Sequence, residues 1–500
     1  MQTECVVSTE LNIAEYLLGG ADRNAVALLT PGSRHTYGEL MAAVDRVGQA
    51  LLHRGGAKGD RVLLIGDNSL FWVASYLGIL RAGLVAVPLA PRMSAGELKF
   101  IVERAGPKFA LINAKYMNTT KLALANVQTL TEGIVAQPPE QLHIEYPGTE
   151  ASDVAAIMFT SGSTGSPRGV MVSHRNIAAN TESIVEYLSL TSIDRMMTVL
   201  PFHYCFGTSL LHTHLRVGGS LVLDPRFMFP EKVLENMLET GCTGFAGVPS
   251  HYQILLRNSS IARMRFPALR YVQQAGGHLA PMFVSELRRA LPTTQVFIMY
   301  GQTEATARLS YLPPECLDTK LGSIGKGIPG VTLKVVDDHG QPVAPGEVGE
   351  LVAEGDNVAL GYWHDNDEPH SFRDGKLYTG DLARVDEDGF IYIVDRAKDI
   401  LKCGGKRVSC RTVEDALLGC DALLEAAVTA IPDDVLGEAA KAYVVPRIKA
   451  EDPLLIEKVV EVCRRSLPPQ LVPKEIVVLH ALPKNAAGKV MKAALKVSGK

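Results

Sequence analysis

The chain has 500 residues, 47% hydrophobic and 21% charged, too long for a single hydrophobic core, so two or more domains are expected. A formal net charge of −4, with Lys and Arg scattered along the chain, excludes a nucleic-acid partner held by electrostatics. The 8 cysteines include no Cys-x-x-Cys pair, and the nearest group, Cys403, Cys410 and Cys420, lacks a metal-ligand spacing; reduced thiols are expected. The start, Met1-Gln2-Thr3-Glu4-Cys5, is not a signal peptide and no apolar run is long enough to span a bilayer, so the reading is a cytoplasmic chain.

In chain order, Leu40, Met41, Val44, Val47, Leu51 and Leu52 recur at helical spacing over 38–54 and stop at Gly55-Gly56. Arg61 to Ile65 reads as a strand. Val73, Tyr76, Leu77 and Leu80 mark the next helix, and Gly83 to Pro88 a further strand. This alternation recurs over 154–190, 196–223 and 231–257 and predicts parallel sheets covered by helices. Val154 to Phe159 is an apolar strand leading into Thr160-Ser161-Gly162-Ser163-Thr164-Gly165-Ser166-Pro167-Arg168-Gly169. Such a run suits an ordinary turn. It also suits an anion nest, because its glycines let N–H groups turn inward, its hydroxyls add donors and Arg168 adds a cation for a polyphosphate. It is not a Walker A loop, since no Gly-Lys pair in the chain precedes Ser or Thr.

Val296 to Met299 forms a strand that puts Glu304 just beyond its C-terminal end, where ligands bind in open α/β sheets. After about residue 320 the texture changes to short strands, Val331 to Val336 and Glu347 to Glu354, and turns such as Asp337-Asp338-His339-Gly340. Gly325-Lys326-Gly327-Ile328-Pro329-Gly330 fits the dinucleotide pattern on paper. It precedes a strand rather than a helix and holds a Pro, so that reading is rejected. A last unit follows Lys398, with Leu455, Val459, Val460, Cys463 and Leu467 as one helix face.

The 160–169 loop resembles the phosphate loop of the adenylate-forming (AMP-binding) superfamily: acyl- and aryl-CoA synthetases, peptide-synthetase adenylation domains and luciferases. Tyr300-Gly301-Gln302-Thr303-Glu304, Tyr378-Thr379-Gly380-Asp381, Asp395-Arg396-Ala397-Lys398-Asp399 and Pro483-Lys484-Asn485-Ala486-Ala487-Gly488-Lys489 resemble further motifs of that family, in its order. The resemblance implies an α/β fold: a large multi-subdomain N-terminal part with parallel sheets and a small β-rich subdomain over 1–397, then a small mobile α+β domain over 398–500. It implies ATP-dependent activation of a carboxylic acid to acyl-AMP with pyrophosphate release, then transfer to a thiol, with ATP, Mg2+ and CoA taking part. A phosphopantetheinyl carrier protein acting in trans is the alternative acceptor, and a non-catalytic nucleotide-binding relative the alternative class.

The resemblance also assigns residues. Thr160, Ser161, Gly162, Ser163, Thr164, Gly165 and Arg168 would hold phosphates. Gly276, Gly277 and His278 would pass against adenine, with Tyr300, Gly301 and Gln302 also at the nucleotide. Thr303 would contact the α-phosphate, Glu304 the metal, and Asp381, in a Tyr-Thr-Gly-Asp turn, both ribose hydroxyls; Arg396 would contact the nucleotide. Lys489 matches the catalytic lysine, whose ammonium bridges the attacking carboxylate and the α-phosphate. Lys398 occupies the hinge position, and Gly404, Gly405, Lys406 and Arg407 would line a thiol channel. His203, Tyr204, Cys205, Phe206 and Gly207 match the acid pocket, with His203 at the substrate carboxylate. Neutral Cys205 stands where α-amino-acid-activating domains place an aspartate. His212 and His214 are assigned to packing. The chain departs from the pattern at Arg168, where Lys is usual, and Asp395, where Gly is usual.

Overall fold

The computed structural model describes residues 10–136, 143–161, 167–364, 371–396, 400–403, 406–447, 453–485, 488 and 490–497. Among them lie two large sheets, a small antiparallel sheet and a C-terminal sheet. The helix Tyr37–His53 begins at a capping box, Thr36 accepting from the Glu39 amide and Glu39 from that of Thr36. It ends before Gly55, at φ +84°. Of its predicted stripe, Leu40, Val44, Val47 and Leu51 are fully buried, and Met41 and Leu52 partly so. Leu70–Arg81, capped by Ser69, is buried on nearly every side because it lies between the two large sheets.

The first large sheet runs Gly361–Tyr362, Pro167–Ser173, Val154–Ser161, Val85–Leu89, Arg61–Ile65, Phe109–Ile112, Gln128–Leu130. Its last five strands are parallel, as their β-branched and apolar composition predicts. Val154–Ser161 and Pro167–Ser173 instead form an antiparallel hairpin. The alternation expected over 154–190 therefore gains a strand before its helix, because an antiparallel pair needs only a short connection and no crossover.

The second sheet runs Lys326–Gly327, Ser310–Leu312, Gln295–Tyr300, Tyr271–Gln274, Gly244–Gly247, Arg195–Thr198, Ser220–Leu223, Val26–Thr30, Ser33–Thr36, parallel except at its edges. Helices cover both faces. Cys205–Arg216 and His174–Leu188 lie on one side, and Pro230–Thr240, Pro249–Asn258 and Pro281–Ala290 on the other. Val331–Val336, Val348–Gly355, Lys376–Val385 and Ile391–Arg396 make the β-rich part predicted beyond residue 320. The final unit has its own core, in which Leu401, Cys403, Cys410, Val413, Cys420, Val459 and Cys463 are buried together. The three clustered cysteines are thus core residues.

Candidate active site

The segments singled out in the sequence converge at the C-terminal ends of the parallel strands. Gln295–Tyr300 delivers the chain into a single 3₁₀ turn, Thr303–Ala305. Gly301 is required there: a Cβ at this position would stand 2.0 Å from the Ala307 carbonyl oxygen. The turn buries Thr303, whose hydroxyl donates to Cys205 Sγ at 3.4 Å, so the Thr-Glu motif and the acid-pocket segment are in contact. Burial pushes the Cys205 thiol up, keeping it neutral.

Glu304 accepts a 2.8 Å hydrogen bond from the Tyr362 hydroxyl and forms no ion pair among the described residues. The Arg168 guanidinium lies 4.9 Å over the Tyr362 ring. Burial, reinforced by the Glu304 charge, pushes the Tyr362 phenol well up, so it remains a donor. Tyr362 thus links the phosphate-loop cation to the acidic residue. The planar guanidinium that replaces the usual Lys is the better partner for a ring face. Tyr362 was not singled out in the sequence. It reaches the site because Gly361–Tyr362 pairs with Val170 and Met171, a long-range register no local pattern announces.

Asp381 is 6% exposed and accepts from the Tyr300 hydroxyl at 2.6 Å. It does not lie in a turn, as its Tyr-Thr-Gly-Asp setting suggested, but within the strand Lys376–Val385. The turn-like composition reflects a bulge opposite Glu350 and Val352, where Gly380 takes φ +72° and Thr379 bonds Leu351 O and the Asp381 amide. Strand register sets Arg396 opposite Asp381. The preceding residue, Asp395, is buried and accepts from Ser409, which caps the helix Cys410–Leu418. The departure from Gly at 395 therefore ties the last N-terminal strand to the first C-terminal helix.

Gly276, at φ +81°, permits a close approach: a Cβ would meet Val248 Cγ1 at 2.9 Å and the Tyr204 hydroxyl at 3.2 Å. Gly277 is fixed by Gln274, which donates to its carbonyl at 2.9 Å. His278 Nε2 meets Asp415 of the C-terminal unit at 2.9 Å. From that same unit Gly488, at φ +79°, lies against Val248: a Cβ there would stand 3.2 Å from its Cγ2. Neighbouring lysines are engaged elsewhere, Lys484 by Glu425 and Lys492 by Glu414 at 2.7 Å. Gly162, Ser163, Thr164, Gly165, Lys398, Gly404, Gly405 and Lys489 lie outside the described residues, as do the side chains of Ser161, Arg396, Lys406 and Arg407.

His203 follows the strand end fixed by Asn68, which bonds Leu200 O at 2.8 Å and the Phe202 amide at 2.9 Å. Burial lowers the imidazole to about 4, so it is neutral at pH 7, and Nε2 has no partner among the described residues. A neutral ring with a free nitrogen can donate to a carboxylate placed beside it. The sharp turn here depends on Gly207, since a Cβ would stand 2.1 Å from Pro201 O. His212 and His214 are buried as packing residues, each 3.0 Å from a tyrosine hydroxyl, Tyr76 and Tyr271.

The site suits Mg2+ held with a nucleotide. Glu304 is a partly exposed oxygen donor without a cationic partner, and no group of three His, Cys, Asp or Glu among the described residues could hold an ion alone. One carboxylate completed by phosphate oxygens and water is the usual magnesium arrangement.

A family profile described as AMP-binding enzyme matches residues 19–363, and its C-terminal domain profile matches 412–489. A feruloyl-CoA synthase from Amycolatopsis sp is 32% identical over 95% of this chain and 96% of its own. An anthranilate CoA ligase solved with anthranoyl-AMP superposes with a TM-score of 0.91 at 26% identity, covering 98% of each chain. An o-succinylbenzoate CoA synthetase from Bacillus subtilis, solved with ATP and magnesium, gives 0.86 at 28% identity, over 97% of this chain and 99% of its own.

Proposed function

Because the chain belongs to the AMP-binding enzyme family, we propose that the residues gathered at this face perform two successive half-reactions. The protein is an AMP-forming acid–thiol ligase that uses ATP, Mg2+ and CoA. A carboxylate oxygen attacks the α-phosphorus of ATP, pyrophosphate leaves, and the acyl-AMP then gives its acyl group to a thiol sulfur as AMP departs.

His203 donates its ring N–H to one carboxylate oxygen and fixes the acid in line. Arg168 and the 160–165 loop hold the polyphosphate. Asp381, oriented by Tyr300, takes the ribose hydroxyls, and Arg396 across the register contacts the same nucleotide. Glu304, steadied by Tyr362, would hold magnesium, which when bound would supply positive charge against the phosphoryl oxygens. Lys489 supplies the cation at the α-phosphate. One observation supports this last assignment: a Cβ on Gly488, the residue before Lys489, and one on Gly276 would each meet a methyl of Val248, so both glycines lie against that residue. The division at 397/398, a pivot at Lys398 and a thiol channel along Gly404, Gly405, Lys406 and Arg407 belong to the same proposal. CoA is the acceptor; a carrier protein is the less supported alternative. No helix among the described residues is long and apolar enough to cross a membrane. We place the reaction in the cytoplasm, where ATP and CoA are at hand.

Pyrophosphate release across a panel of acids, with and without CoA, tests the proposal. Acid-dependent release with acyl-CoA formation is expected. Thioester only on a phosphopantetheinylated carrier would replace CoA as acceptor, and no release with any acid would promote a non-catalytic nucleotide-binding role.

A further inference from the structure

The layer between the second sheet and the helices His174–Leu188 and Cys205–Arg216 is packed with Met196, Leu200, Phe206, Leu210, Phe297 and Met299. Two polar groups intrude. Gln273 stands in register between Ala246 and Phe297, both members of that layer, so its side chain enters it. Gln273 is 1% exposed, and neither its amide nitrogen nor its amide oxygen has a partner among the described residues. Arg308 is also 1% exposed and lies 4.7 Å over the ring of Phe206 in the acid-pocket segment. Its main-chain carbonyl is held by Asn180 at 3.1 Å and Asn357 at 2.8 Å, so the backbone is fixed independently of the side chain. Among the described residues no carboxylate pairs with the guanidinium, and Nε and Nη2 are both without an acceptor.

A buried guanidinium with unmet donors costs several kcal/mol, and proteins rarely retain one without a ligand to complete it. The unmet nitrogens define the ligand. Nε–H and Nη2–H point the same way along one edge of the guanidinium, the fork that takes a carboxylate through two parallel hydrogen bonds. We infer that the acid activated here is a dicarboxylic acid, whose second carboxylate, remote from the one adenylated, is received by Arg308 with Gln273 beside it. The inference rests on the acid-activation reading and names the substrate class of that same pocket. His203 takes the reacting carboxylate, Phe206 and its apolar neighbours the spacer, and Arg308 the distal charge. A plain monocarboxylic acid would leave the buried cation unpaired. A site built for a polar group rejects analogues lacking it far more strongly than an apolar pocket rejects a missing methylene.

The test uses the full-length enzyme and ATP–pyrophosphate exchange with matched pairs, each a dicarboxylic acid and its half methyl ester, on short aliphatic and aryl spacers. Wild type should favour one or more diacids over the corresponding half esters by at least about tenfold in kcat/KM. Arg308→Met should abolish that preference chiefly through KM, and Arg308→Lys should restore part of it. Arg308→Met should also melt no lower than wild type, because no carboxylate partner is left uncompensated by the change. Should it fail to fold, Arg308 is structural and the inference falls, as it does if wild type takes half esters as well as diacids or if Arg308→Met keeps the preference. If no acid supports exchange, the acid-activation reading itself fails. Thermal shifts with the same diacids then decide the anion site: a shift in wild type lost in Arg308→Met upholds it, and equal shifts or none overturn it.

Discussion

Individual side chains at this site work through their immediate neighbours. Glu304 remains available as an oxygen donor because its side-chain partner among the described residues is a neutral hydroxyl, that of Tyr362. Glu304→Gln should sharply weaken magnesium-dependent turnover, since an amide is a poor ligand for a hard cation. Tyr362→Phe should keep the fold while raising the KM for Mg-ATP about tenfold, the usual scale of one hydrogen bond to a charged group. Initial rates across a magnesium titration check both, and an unchanged magnesium dependence in Glu304→Gln would remove that residue from the site. The buried histidines set a different property. Burial lowers His174, His203, His214 and His251 to about 4 and His212 to about 3, below an ordinary value of about 6.5. The unfolded chain then binds more protons than the folded one between pH 6.5 and 4. Stability is full above that window and is lost as pH falls through it, by up to about 1.4 kcal/mol per pH unit for each such histidine. Urea midpoints at pH 7 and pH 5 should therefore drop steeply; equal midpoints would show that these rings protonate without unfolding.

Among the elements, the turn after Gln295–Tyr300 bears most on function, because it carries Thr303, Glu304 and Arg308 from one short stretch. Its path needs a residue without a Cβ at 301, where the Ala307 carbonyl approaches. Gly301→Ala should cost about 1–3 kcal/mol of stability, the scale of overpacking in a close-packed interior. It should lower activity more than Gly96→Ala, whose Cβ meets nothing within 4 Å and whose backbone is helical. Thermal melts and pyrophosphate release on the two variants make the comparison, and equal behaviour would show that the turn yields. The capping box at Thr36 and the hairpin Val154–Ser161 with Pro167–Ser173 belong to the same scale. The first was legible as a helix start. The second was legible only as a strand and a loop, since pairing direction depends on where the chain returns.

Across the whole molecule, the C-terminal unit touches the site at separate points: His278 with Asp415, Arg257 with Asp421 at 3.8 Å, and Gly488 against Val248. This pose brings Gly488 to Val248, which fits the proposed adenylating arrangement. Lys489→Ala should nearly abolish acyl-adenylate formation and spare thioester formation from preformed adenylate. Asp415→Ala should slow only the first half-reaction, by a few-fold, because a partly exposed pair biases the pose by about 1 kcal/mol or less. Single-turnover rates of the two half-reactions separate these outcomes, and equal loss in both would count against the pose.

The sequence by itself determined what depends on local order. Helical periodicity placed Tyr37–His53 and Leu70–Arg81, β-rich texture placed Val331–Val336 and Val348–Gly355, and the apolar run Val296 to Met299 placed Glu304 beyond a strand end. Tertiary structure decided what depends on register and layer. It put Tyr362 on Glu304, made Asp381 a bulged-strand residue opposite Arg396, and brought Asp415 to His278. Arg308 shows the boundary most clearly. An arginine between Ala307 and Leu309 is visible in the sequence, but only the packed layer against Phe206 leaves its fork buried and unpaired. Burial and partnership are properties of chain segments far apart in sequence, and no local pattern contains them.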